Sequence, residues 1–299
     1  MVREKRRALV AVFFTYVAAF VVGAAVVLWL RDRSPVERAL WADAAATLFV
    51  FVASRLSGNS SMYDPYWSLA PPVIVLFWIA AYRGGIGAAF EGSSTGAVLW
   101  LSLLLLAFVV WSVRLTANWV RRWHGFGDED WRYGMLKGQF GRAEIVIDFI
   151  GVHFFPTLIV FVGLVPVAFA LQRTASMADP FSMLTLVAGG LLLTAAIGLE
   201  WVADNQLAAF RSDPSTGGKI LRTGIWGVVR HPNYIGEMLF WWGVWALSYA
   251  AGVELWTLVG PVAMTAMFLG ISIPMMNRRL ASREIDAAEA ERNGDASVY

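Results

Sequence analysis

LRTGIWGVVRHPNYIGEMLFWWGVWAL, residues 221–247, decides the fold, because it joins a strongly polar motif directly to an apolar run of membrane length. The run from about 231 to 251 has the roughly 20 helical residues that crossing a bilayer requires. Others recur along the chain at roughly 8–30, 38–57, 66–82, 96–119, 146–171, 180–210 and 254–277. An all-α polytopic integral membrane protein with about eight transmembrane helices is therefore expected. Composition agrees: of 299 residues, 58% are hydrophobic and only 15% charged, with mean hydropathy +0.58, far from the balance of a soluble domain.

The first run follows MVREKRR, lacks a small-residue cleavage site and outlasts a signal-peptide core, so it reads as a retained anchor. Lys and Arg concentrate in alternate loops, which orients the chain. Arg121, Arg122, Arg132, Lys137 and Arg142 fall in one, Arg211, Lys219 and Arg222 in another, and Arg278, Arg279 and Arg283 near the end. These are expected on the cytoplasmic side with both termini, opposite Arg83 and Arg173. The loop with Arg31, Arg33 and Arg38 dissents, being basic where an outer loop is expected.

Without Cys there is no disulfide, thiolate nucleophile or Cys-based zinc site. The three His, at 124, 153 and 231, lie on different segments, so no metal is expected. GSSTG at 92–96 matches the nucleophile-elbow pattern but lacks the strand and helix that give the pattern meaning. Asn59-Ser60-Ser61 matches a glycosylation sequon in a loop expected inside. No phosphate-binding Gly-rich motif occurs, and a net charge of +2 gives no sign of a nucleic-acid partner. GGLLLTAAIG at 189–198 has small residues at helix-packing spacing.

What remains is a polar concentration late in the chain. LEWVADNQLAAFR sets Glu200, Asp204 and Arg211 on one helix end, with Glu200 and Asp204 at i, i+4 on a shared face. The irregular turn SDPSTGGK brings Lys219, then Arg222, into TGIWGVVRHPNY. Pro232 suits a helix's first turn. RHPNYIGE thus reads as a helix start whose free amides and Arg230 form an anion site, with Asn233, Tyr234 and Glu237 following. For Arg230 and Tyr234 an interfacial, headgroup-facing role is the simpler alternative. As a set, the residues suit a ligand bearing several phosphates or carboxylates, because intramembrane polar groups are costly and usually functional.

GLEWVADNQLAAFR followed by TGIWGVVRHPNYIGEMLFWWG resembles the bacterial DUF1295, or steroid dehydrogenase, family. That family is similar to the steroid 5α-reductases and more remotely to sterol reductases and isoprenylcysteine carboxyl methyltransferases. The resemblance is specific over about 195–250 and traceable back to about 62. It implies a bacterial inner-membrane protein with an additional N-terminal helix at 1–35, a catalytic domain at 36–283 whose cofactor half is about 195–283, and a polar tail at 284–299. It further implies NADPH held by Arg114, Glu200, Asp204, Arg211, Lys219, Asn233 and Trp241. Glu200 departs from the family's Asn. The family's catalytic Tyr falls on Trp111, which cannot deliver a proton as a phenol does, and its acid-pair Glu falls on Asp64, flanked by Tyr63 and Tyr66. In PMMNRRL, Asn277 and Arg278 stand where relatives carry acids, which bears on contact with the cofactor's adenine half.

The expected reaction is NADPH-dependent reduction of an activated C=C in a lipophilic steroid- or isoprenoid-like substrate, with Asp64 and Tyr63 or Tyr66 donating a proton or polarising a carbonyl. The alternative is an S-adenosylmethionine-dependent methyltransferase acting on a lipid or prenylated substrate. A non-enzymatic lipid-binding protein is a third class. The loop 124–142 reads as either a lid over the cofactor or a solvated connector, and the outer part of the charged tail SREIDAAEAERNGDASVY is expected to be a frayed or disordered end.

Overall fold

Segments with no water to bond their backbone must become helices in a bilayer, and each apolar run does. The computed structural model describes residues 2–173, 179–217 and 219–293. Its main helices are α1 (Val2–Trp29), α2 (Pro35–Ser57), α3 (Tyr66–Arg83), α4 (Thr95–Arg122), α5 (Trp131–Phe140), α6 (Phe155–Gln172), α7 (Pro180–Ser212), α8 (Pro232–Ala250), α9 (Val259–Met267) and α10 (Ile273–Asn293). No strand occurs among these residues.

Among the described residues, seven segments are long and apolar enough to cross a membrane: Arg3–Trp29, α2, Ser60–Arg83, α4, Trp131–Gln172, α7 and Leu255–Ile285. The eighth expected span, α8, is 19 residues long, but a polar first turn, three Trp and two Tyr lower its hydropathy. It is an internal helix, packed along α7 in the most extensive helix pair and also against α6 and α9. Phe13, Phe14, Trp41, Leu106, Val113, Leu184 and Leu191 are exposed on the outer helices, a surface that lipid covers and water does not. The chain is therefore an all-helical, polytopic integral membrane protein.

One stretch departs from the sequence reading. The fifth span is preceded by a helical arm, since Trp131–Gln172 runs 42 residues, about twice a bilayer crossing. Gly141, at φ 48°, ψ −113°, breaks it, and a π turn at Asp148–Phe154 leads into α6. A second π turn, Phe268–Ser272, passes α9 into α10, which runs to Asn293; the outer part of the tail, expected to fray, includes residues 294–299, which lie outside the described residues.

The bundle has two chemically different ends. At one, Lys5 donates to the Arg121 carbonyl, 3.2 Å, placing the N-terminus beside the loop after α4. At the other, Arg38 lies over Phe77, Arg83 donates to the Arg173 carbonyl and Arg173 pairs with Glu254 at 3.1 Å. The dissenting basic loop after α1 thus belongs to the same end as Arg83 and Arg173.

Candidate functional site

α4 and α7 are longer than a crossing needs, at 28 and 33 residues. About 20 residues after their starts they carry Arg114 and Glu200 to the end from which α8 starts back with Glu237. There the described residues enclose a cavity of about 1440 Å³. Its floor is Arg114, buried at 5% exposure among three carboxylates. Arg114 is in ion contact with Glu200, lies 2.6 Å from Asp204 and 3.8 Å from Glu237. Asn118, one turn along α4, donates to Asp204.

Glu237 is also held by two indoles. Trp111 Nε1 donates to both its oxygens at 3.1 Å, and Trp241 Nε1 to one at 3.3 Å. Glu200 Oε2 meets the Arg114 guanidinium, while its Oε1 accepts no hydrogen bond and the Arg114 Nε donor is unused. Three acids against one arginine make this floor acid-rich, with polar groups not all paired, which buried groups rarely tolerate without a partner.

The rim is cationic. Arg122, Arg211, Lys219, Arg222, Arg230 and Arg283 line it. Arg222 pairs with Glu284, whereas Arg211, Lys219, Arg230 and Arg283 form no ion pair among the described residues. Arg279 stacks over Trp131 at 4.3 Å. At the start of α8, His231 bonds Asn277, 2.8 Å, and stacks on Tyr234, so no side chain caps the helix. Val160 of α6 and Met264, Met267, Phe268, Met275 and Met276 of α9 and α10 form an apolar wall; Met is adaptable to irregular ligands. Both π turns border the cavity, as such turns often border functional sites.

Asp64 ends the 3-10 turn Ser60–Tyr63 and accepts from the Tyr133 hydroxyl. Tyr63 lines the cavity while its hydroxyl bonds Thr157, 2.7 Å. Tyr66 turns away and donates to Asp43 at 2.7 Å.

Of the residues singled out from sequence, the cavity gathers Asp64, Tyr63, Arg114, Glu200, Asp204, Arg211, Lys219, Arg222, Arg230, Asn233, Tyr234 and Glu237. Tyr66, Trp241 and Asn277 stand behind it. Tyr133, Asn118 and the Met wall went unread. Asn118 had a signal, lying at i+4 from Arg114 on one face; Tyr133 had only a mixed acidic and aromatic context.

The other motifs resolve structurally. Ser94 caps α4 by accepting from the Ala97 amide, so GSSTG is a helix start. Asn59 is buried and donates to the carbonyls of Phe126 and Asp128. The Ser61 hydroxyl accepts from the Asp130 amide, and Glu129 bonds both the Ser60 amide and Lys137. These bonds fix residues 126–133 as a cavity wall. Burial pushes the Asp130 carboxyl up, but the hydrogen bonds and charge of Arg132 outweigh that and hold it below its ordinary range. No cluster of metal-ligating side chains occurs among the described residues.

Fold and site together define a helical membrane protein with a cation-rimmed cavity, apolar along one wall, at one end. The family model for a protein of unknown function, DUF1295, matches residues 50–291, so the chain belongs to the DUF1295 family, which is steroid 5α-reductase-like. The match begins within α2 and leaves α1 outside. Neither the curated proteins nor the solved structures gave a match.

Proposed function

We propose that the protein is a membrane-embedded, NADPH-dependent reductase of an activated C=C in a lipophilic steroid- or isoprenoid-like substrate. One observation carries the reading: a single cavity joins unpaired cations at its rim to an apolar, Met-rich wall, matching a polyphosphate cofactor at one side and a lipid at the other. At about 1440 Å³ it exceeds the roughly 300–1,000 Å³ typical of a drug-sized ligand, leaving room for both. The rim cations fit a dinucleotide phosphate.

NADPH, when bound, would supply hydride to one carbon of the C=C. The chain's residues do the rest. Arg211, Lys219 and Arg230 neutralise phosphates, with charge-assisted bonds about twice as strong as neutral ones. Val160, Met264, Met267 and Phe268 hold the lipid and exclude water. The Asp64 carboxyl, braced by Tyr133, polarises the substrate carbonyl, and the Tyr63 phenol donates its proton at the neighbouring carbon.

The orientation that suits this reading puts both termini and the rim in the cytoplasm of a bacterial inner membrane, facing the NADPH pool. An S-adenosylmethionine-dependent methyltransferase is the second reading, favoured by the acid-rich floor of Glu200, Asp204 and Glu237, which would also suit a sulfonium. The test is an NADPH oxidation assay with a lipid enone in detergent. Arg230→Ala should raise the KM for NADPH and recover at high cofactor, and an unchanged KM would contradict the rim's assignment.

A further inference from the structure

The helix that the family match leaves out is tied to the cavity. α1 buries one face, made of Ala8, Val12, Tyr16 and Ala19, at the roughly three- to four-residue spacing that puts side chains on one stripe, and it packs along α2. Some of its contacts reach past α2 to segments that wall the cavity. Lys5 donates to the Arg121 carbonyl. The loop that follows comes so close that a Cβ on Gly125, at φ 119°, would lie 3.6 Å from the Ala8 Cβ. Deeper in, the Tyr16 hydroxyl donates to the Met62 carbonyl.

Tyr16 lies about 16 Å along α1 from Lys5 by helical rise and is buried. In a bilayer a buried hydroxyl there has no water to bond, so its partner has to come from the protein. The carbonyl it takes belongs to the 3-10 turn Ser60–Tyr63, which ends on Asp64. Such turns hold themselves poorly, because their hydrogen-bond geometry is poorer than an α-helix's. This one is braced from outside. Its start is tied to residues 126–130 through Asn59, Ser60 and Ser61, and Tyr16 ties its later part. The Tyr16 ring also packs edge-on against Tyr66 at 5.9 Å, with Phe20 stacked on that same ring at 6.2 Å. α1 thus grips both the turn and the first residue of α3 behind it.

We infer that α1 is a positioning element for the cavity, with Tyr16 as the positioning residue that aims Asp64 into it. The purpose of that aim rests on the reductase reading, whereas the bracing of the turn does not. Polarising a carbonyl is steep in geometry, and a displacement of about 1 Å can cost about 10²-fold. The backbone of Asp64 is set by the braced turn and its carboxyl by the Tyr133 hydroxyl.

The chain has no Cys, so one introduced thiol reports alone. In the full-length, detergent-solubilised protein carrying Ser61→Cys, at a buried position, a water-soluble maleimide should label slowly. Adding Tyr16→Phe, which removes only the hydroxyl, should raise the rate about tenfold, because a buried carbonyl that loses this donor favours the opened turn. Val12→Ala, one turn earlier on the same buried face, removes packing but no hydrogen bond and should leave the rate near its starting value. In the NADPH-loaded enzyme with a lipid enone, Tyr16→Phe should lower kcat about tenfold with the KM for NADPH unchanged. It should cost nothing further in Asp64→Asn, since the effects of residues that act through one another do not add. An unchanged labelling rate in Tyr16→Phe, an equal rise in Val12→Ala, or additive losses of turnover in the double variant overturns the assignment. If labelling follows the expected pattern but the wild type never oxidises NADPH with a lipid enone, the reductase reading falls and the bracing of the turn by Tyr16 stands.

Discussion

Arg114 is the residue on which the floor of the cavity depends, because it alone offsets Glu200, Asp204 and Glu237 at contact distance. Breaking a buried ion cluster by removing one partner leaves uncompensated charge, at about 3–5 kcal/mol. Arg114→Met should therefore lower the thermal midpoint strongly, and Glu200→Gln far less; equal shifts would show that the cluster does not act as a unit. Trp111 illustrates what sequence can and cannot tell. The loss of a phenol at that position was legible, but not its replacement role, since the indole's acceptor Glu237 is 126 residues away. Asp64 was legible as an acid, while its partner Tyr133 was not, because nothing in local spacing links residues 69 apart. Asp64→Asn keeps shape and cannot act as an acid, so NADPH binding should survive while turnover falls about 10²- to 10⁴-fold. Full turnover in Asp64→Asn together with loss in Trp111→Phe would move the chemistry to a residue given no part in it here.

At the scale of elements, the α7/α8 pair positions Glu200 against Glu237, and glycines set its spacing. A Cβ on Gly189 would lie 2.8 Å from the Leu247 backbone nitrogen, and one on Gly243 3.1 Å from that of Leu193. Backbone cannot yield as a flexible side chain can, so Gly189→Ala should cost about 1–3 kcal/mol, read as a lower unfolding midpoint. Gly198→Ala, with open space around it, serves as the control, and a matching loss there would contradict the close-packing account. The small-residue run 189–198 announced this contact. The break at Gly141 and the two π turns were not announced, because hydropathy reports how apolar a segment is and not how its backbone winds. Asp130 joins the cavity wall to α5 by accepting from the Arg132 amide and side chain. Its folded carboxyl titrates below its unfolded value near 3.9, so the stabilisation is complete above about pH 4 and is lost as pH falls through the folded value. Asn still caps the helix, so wild type should exceed Asp130→Asn in stability at neutral pH by only about 0.5 kcal/mol, the worth of a partly exposed ion pair, with the gap closing in acid. A gap that widens in acid would reverse the sign.

The whole molecule is a two-ended bundle, and its asymmetry was largely readable from the alternation of basic loops; the Arg31 to Arg38 loop, basic against the charge rule, packs at the end with Arg83 and Arg173 where the helix count put it. Reporter fusions after Arg142 and Arg222 should share one side and a fusion after Gly252 the other. A signal from the 211–230 loop on the outer face would remove the cavity from the cellular NADPH pool. On the proposed reading, the cationic rim receives the phosphates of NADPH. The most direct measurement is thermal unfolding of the detergent-solubilised wild type with NADPH, NADH or S-adenosylmethionine. A ligand bound only by the folded state adds about 2.7 kcal/mol at a hundredfold excess over Kd, and the extra 2′-phosphate has Arg211, Lys219, Arg230 and Arg283 to meet it. NADPH should therefore raise the midpoint more than NADH, and both more than S-adenosylmethionine. Stabilisation by S-adenosylmethionine with none by NADPH would contradict the account.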